Sequence, residues 1–164
     1  MARRGLPILF VLAAVIALSG CASKRVETVE FGDPRTSFRI LIATEQSEFK
    51  QAVTAEVVRR FDGAALFFKI IDLRELESEA VDAYAAVVIM NTCFAWKMNP
   101  RVQAFLESTA VKTKIIVMTT AGDPNWHTET AGIDAFTAAS SPADVTRTAE
   151  KIRTRVQAII DAAA

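Results

Sequence analysis

The chain has 164 residues, with 19 basic and 19 acidic side chains, one histidine and two cysteines. That length suits one ordinary domain beyond any leader, large enough to bury a core without disulfide staples. The balanced charge offers no basic surface for nucleic acid, and two cysteines exclude a disulfide framework.

Residues 6–18 form an almost unbroken apolar run behind Arg3 and Arg4. A run of about 13 apolar residues suits the h-region of a signal peptide and falls short of the roughly 20 that span a bilayer. It closes on Leu18-Ser19-Gly20-Cys21. That pattern resembles the lipobox of bacterial lipoproteins. The resemblance implies removal of residues 1–20, acylation of Cys21 and a stable lipid anchor of two or more chains. It places the protein in the cell envelope. Ala22, where some lipoproteins carry Asp, implies the outer membrane facing the periplasm in a Gram-negative cell. Arg3-Arg4 lacks the rest of a twin-arginine pattern, so any cofactor would be acquired after export. The bland alternative is a secretory signal with an incidental cysteine.

Residues 21–37 are polar and lack apolar periodicity, so they read as a lipidated N-terminus and tether, with a turn at Gly32-Asp33-Pro34. The domain proper is residues 38–164. Residues 38–43 are a short apolar run consistent with a buried parallel strand. Ser47 is placed to cap a helix whose inner face carries Phe49, Val53, Val57 and Phe61, and Asp62-Gly63 ends it. Residues 66–71 read as a second strand. Glu75, Glu77, Glu79 and Asp82 follow as a solvated acidic face, before a third strand over 86–90. Pro100 opens a helix to Ser108, and residues 114–119 and 133–138 are the fourth and fifth strands. The connection between those two is too short for a full helix. A long helix from Ser141 to about Asp161 closes the chain, with Val145, Ala149, Ile152, Val156 and Ile159 inward. Lys151, Arg153 and Arg155 suit its negative end and an exposed face. Strands alternating with helices predict an α/β fold around a parallel sheet.

Chemistry in such a fold gathers beyond the carboxyl ends of the strands. Three loops meet there, over residues 44–50, 91–99 and 120–131. The second carries Cys93, Phe94, Trp96 and Met98, and the third carries Gly122, Trp126 and His127. Both tryptophans and the sole histidine therefore fall on two adjacent loops. Capping of the sheet end is the structural alternative for Phe94 and Trp96.

The segments Tyr84 to Ile89, Cys93 to Pro100 and Val102 to Leu106 resemble the third strand, flavin-side loop and following helix of flavodoxin-like proteins. Lys114 to Gly122 is similar to their fourth strand and its threonine- and glycine-containing loop. The resemblance implies a three-layer fold with five parallel strands in the order 2-1-3-4-5. It also implies FMN as cofactor and electron transfer as the activity, with any enzymatic role that of a flavin-dependent oxidoreductase. On this likeness Thr44 and Ser47 would meet the phosphate. Phe94, Trp96 and Trp126 would stack on the ring, while Asn91, Thr92, Thr119, Thr120 and Gly122 would line its edge.

The first loop departs from the family pattern. Ser47 stands where glycine is expected, Phe49 replaces the closing hydroxyl, and Glu45 and Glu48 oppose a phosphate with Lys50 the one nearby cation. A flavin without phosphate, such as riboflavin, would suit that loop better than FMN. The alternative function is a domain without cofactor, serving as a binding module in the envelope. A third reading pairs Cys93 as nucleophile with His127 as base, against the bland reading of an inert thiol and a surface histidine. No Cys or His pair stands at metal-ligand spacing. The expected partners are the membrane, through the anchor, and an unidentified redox or envelope protein.

Overall fold

A computed structural model describes residues 25–123, 125–127 and 132–163. The signal segment, the lipobox and Cys21 lie outside the described residues. Six strands form one sheet: β1 (Val29–Gly32), β2 (Arg39–Thr44), β3 (Phe67–Asp72), β4 (Ala86–Thr92), β5 (Ile115–Thr120) and β6 (Asp134–Ala138). Three helices accompany them: α1 (Glu48–Arg60), α2 (Pro100–Ser108) and α3 (Val145–Ala163). The strand order is β1-β3-β2-β4-β5-β6. The five expected strands are all present, parallel, and in the expected order 2-1-3-4-5, with ends within two residues of their sequence bounds.

Side chains of the central strands divide between two cores because successive residues face opposite sides of a sheet. From β2, Ile40 and Ile42 join Phe49, Val53, Val57, Ile152 and Val156, under α1 and α3. Leu41 and Ala43 join Val102, Phe105 and Leu106, under α2. Burial on both faces is why these strands read as continuous apolar runs rather than alternating ones. On the first face the Phe61 and Phe68 rings sit 5.7 Å apart.

Three expectations are corrected. Residues 29–32, within the presumed tether, form β1, an antiparallel strand beside β3 with Val29 opposite Ile70 and Phe31 opposite Phe68. Asp72 holds the approach to it, accepting the Val26 N–H at 2.9 Å. The turn at Gly32-Asp33-Pro34 is present, closed by the Thr36 N–H donating to the Asp33 carbonyl. Glu79 is not solvated like its acidic neighbours: it pairs with Lys69 at 2.6 Å and accepts from the Tyr84 hydroxyl. Burial alone would raise the Glu79 pKa, but these two donors outweigh it and hold the carboxyl below its ordinary value. Burial and the Glu79 contact together push the Tyr84 phenol up. Lys151, Arg153 and Arg155 lie mid-helix, since α3 runs on to Ala163 with no basic residue in its last turn. Arg155 pairs instead with Asp134 of β6, and Arg153 with Glu150. The expected inward residues of α3 pack against the first core, Ile159 partly buried, and Ile160 is buried there beside them.

Candidate functional site

The strand order changes direction at β2, which has β3 on one side and β4 on the other. Loops leaving the carboxyl ends of β2 and β4 therefore diverge, and the crevice between them is where open parallel sheets take ligands. Here the protein's own side chains fill part of that crevice, and an open cavity of about 340 Å³ lined by Glu45, Gln46, Arg74, Asn99 and Arg101 remains.

Ser47 is the N-cap of α1, its hydroxyl accepting the Lys50 N–H at 3.1 Å. Capping fixes the first turn so that the Lys50 side chain runs inward, where it is 2 % exposed. A buried ammonium requires a close anion and further acceptors. The Glu45 carboxylate supplies the anion, 3.0 Å from Lys50 Nζ, and the Thr92 hydroxyl accepts from the same nitrogen at 2.6 Å. Thr92 donates in turn to Glu45 Oε2 at 2.6 Å, and Asn99 Nδ2 donates to Glu45 Oε1 at 2.8 Å. One carboxylate thus gathers an ammonium, a hydroxyl and an amide from α1, β4 and the N-cap of α2.

Asn99 connects this cluster to the next strand. Its backbone N–H donates to Asn91 Oδ1 at 3.3 Å, and Asn91 Nδ2 donates to Thr119 Oγ1 at 2.9 Å. Asn91 and Thr119 are buried, so these bonds are made inside the protein. Thr44 is buried as well, its hydroxyl donating to the Glu45 carbonyl. Of the residues expected to meet a cofactor, Thr44, Ser47, Asn91 and Thr119 are therefore committed to internal contacts.

The aromatic residues present the opposite case. Phe94 and Lys97 exchange two backbone hydrogen bonds, at 2.9 and 3.0 Å, closing a two-residue turn over Ala95 and Trp96. Both central residues have positive φ, 49° and 62°. Such a turn ordinarily uses Gly, Asn or Asp, and the left-handed region costs other residues roughly 1–2 kcal/mol each. The ends of the loop are anchored: the Cys93 N–H donates to the Thr120 carbonyl at 2.8 Å, and Met98 is buried. Phe94 is left 82 % exposed and Trp96 72 %. They do not cap the sheet end; the turn holds them out from it.

Trp126 lies beside them, its Nε1–H donating to the Trp96 carbonyl at 3.3 Å, while its own carbonyl accepts from the Thr137 hydroxyl of β6. An open cavity of about 360 Å³ is lined by Thr92, Cys93, Thr120, Gly122 and Ser140 among others, with none of the three aromatic side chains in its wall. His127 is exposed and shares its Nδ1 with the Asn125 carbonyl. Its hydrogen bond is to the backbone of its own loop, and the structure gives it no placement as base for Cys93. Among the described residues, no group of three or more potential ligands gathers for a metal.

No family model matches the chain, and no curated protein matches it in sequence. Solved structures do match in shape. A flavodoxin from the domain Archaea superimposes with a TM-score of 0.51 at 9 % identity, over 74 % of this chain and 99 % of that one. The fold is flavodoxin-like. A flavodoxin, WrbA-like protein from Agrobacterium tumefaciens gives a TM-score of 0.52 at 12 % identity, over 77 % and 99 % of the two chains. The Flv1 flavodiiron core of Synechocystis gives 0.52 at 13 % identity, over 78 % of this chain; this flavodoxin-like domain spans only 37 % of that one.

The residues fit a flavin only in part. A phosphate monoester at the crevice would meet the Glu45 carboxylate, and repulsion between unit charges 4 Å apart is on the order of 4 kcal/mol near a protein surface. Three donors there, Lys50, Thr92 and Asn99, are already taken by that carboxylate. FMN does not fit this loop through its phosphate. The exposed aromatic turn is the part that suits a flat ring. Asn99 is the member of the cluster that the sequence did not single out. Its signal was there in Asn99-Pro100, a capping residue before a first-turn proline.

Proposed function

We propose that this chain is a lipid-anchored protein of the cell envelope whose flavodoxin-like domain binds the ring of a flavin and passes electrons through it. The observation that carries the reading is the Ala95-Trp96 turn, which holds Phe94 and Trp96 in solvent at the ligand edge of the sheet. Large exposed aromatics on a strained backbone are costly unless something stacks on them. Trp126 on the adjoining loop adds a third aromatic group. Electron transfer would be the chemistry of the flavin itself; the chain's residues bind and orient the ring. Support for the anchor comes from Leu18-Ser19-Gly20-Cys21 and the apolar run before it.

A titration of the full-length chain in detergent with riboflavin and FMN, followed by tryptophan and flavin fluorescence, tests the reading. Saturable quenching, lost in Trp96→Ala, is the expected result. The second reading is a cofactor-free binding module that uses the same aromatic loop against an envelope protein. The Glu45 carboxylate, holding Lys50, Thr92 and Asn99 beside the N-terminus of α1, favours it. Absence of quenching by either flavin is the outcome it requires.

A further inference from the structure

We propose that Glu45 determines the ligand class of this site: its carboxylate takes the place of a ligand phosphate, so the site accepts an aromatic ligand that carries no phosphate monoester. The choice of flavin ring as that ligand rests on the function proposed above; the role of Glu45 does not. Three donors of different chemistry converge on the carboxylate from three elements: Lys50 Nζ, Thr92 Oγ1 and Asn99 Nδ2, at 2.6 to 3.0 Å. An ammonium, a hydroxyl and a primary amide are the donor set that a bound phosphate would need. They stand at the strand-order switch and beside the N-terminus of α1, where a parallel sheet with crossover helices favours an anion.

The burial pattern says why the anion is built in. Lys50 is 2 % exposed while Glu45 is a quarter exposed. A buried ammonium whose anion could dissociate would be stranded each time the ligand left, whereas a covalently attached carboxylate neutralises it permanently. Glu45 also reaches the surface, so an incoming phosphate meets its negative charge beside the exposed Thr92 hydroxyl.

Removing the carboxylate therefore uncovers a phosphate site. Isothermal calorimetry of the full-length chain with inorganic phosphate reads this directly, using wild type, Glu45→Ala, and Glu45→Ala combined with Lys50→Met. Glu45→Ser serves in place of Glu45→Ala if the latter does not fold by circular dichroism. The expected result is no saturable phosphate binding to wild type, binding to the single variant, and its loss in the double variant. The affinity for FMN relative to riboflavin rises at least tenfold in the single variant. Phosphate binding to wild type equal to that of the variant overturns the proposal, as does a folded single variant that binds no phosphate. If neither flavin binds any of these chains, the flavin reading falls, and the phosphate titration still decides the role of Glu45.

Discussion

Lys50 and Glu45 are partners of unequal burial, so removing one is not the same as removing the other. Glu45→Ala leaves a fully buried ammonium with a hydroxyl as its remaining acceptor, a loss on the order of 3 kcal/mol. Lys50→Met removes the buried charge and leaves a partly exposed carboxylate that still accepts from Thr92 and Asn99. Its cost is about 1 kcal/mol, and urea denaturation of the two variants separates them. Trp96 is the contrasting case: its ring is exposed, so Trp96→Ala changes stability by less than about 0.5 kcal/mol while ligand quenching is lost. Ala95→Gly relieves part of the left-handed strain and raises the melting temperature slightly. The stacking role of Trp96 was open to inspection in the sequence; the ion pair and the strained turn were not. Glu45 could be seen to oppose a phosphate and Lys50 to favour one, but their shared partner Thr92 is 42 residues from Lys50 in the chain. Positive φ at Ala95 and Trp96 follows from the anchoring of Cys93 and Met98, which residue type alone does not encode.

At the scale of elements, β1 is held by contacts that titrate and by a backbone approach that only glycine allows. Gly32 has φ 91°, and a Cβ there would stand 2.1 Å from the Leu66 carbonyl oxygen. Gly32→Ala is therefore expected to cost 2 kcal/mol or more, by strain and clash together, against about 1 kcal/mol for Gly63→Ala, where φ is 78° but the space is open. Thermal unfolding of both variants checks the difference. Hydrogen bonds from Arg74, and then from the Val26 N–H, hold the Asp72 carboxyl well below its ordinary value against the cost of burial. A depressed carboxylate contributes stability that is present above its unfolded pKa, about 3.9, and lost as pH falls through the folded value. Amide exchange at β1 is expected to accelerate below about pH 4 relative to β2, and Asp72→Asn to remove that difference. The sequence showed α1 by its Ser47 cap and α2 by Pro100, because capping is local chemistry. It did not show β1, whose four residues are all exposed and whose register depends on Asp72, more than 40 residues away.

For the whole molecule, two apolar cores on opposite faces of one sheet leave the carboxyl edge as the place where loops are free to vary. That arrangement was legible from Phe38 onward, since strands buried on both faces appear as apolar runs between amphipathic helices. The placement of the site at the switch point was legible with it. Which loop residues are spent internally and which face outward was not, because that division depends on hydrogen bonds between β2, β4 and β5. In the proposed function, the ring side of the site is open and its phosphate side is closed by Glu45. The chain has two tryptophans, so its indole N–H groups give two resolvable signals in an amide correlation spectrum. Riboflavin is predicted to shift both indole signals, from Trp96 and Trp126, and to leave the Lys50 backbone amide in place. Indole signals unmoved at saturating riboflavin, or a shift centred on Ser47 and Lys50, would contradict it.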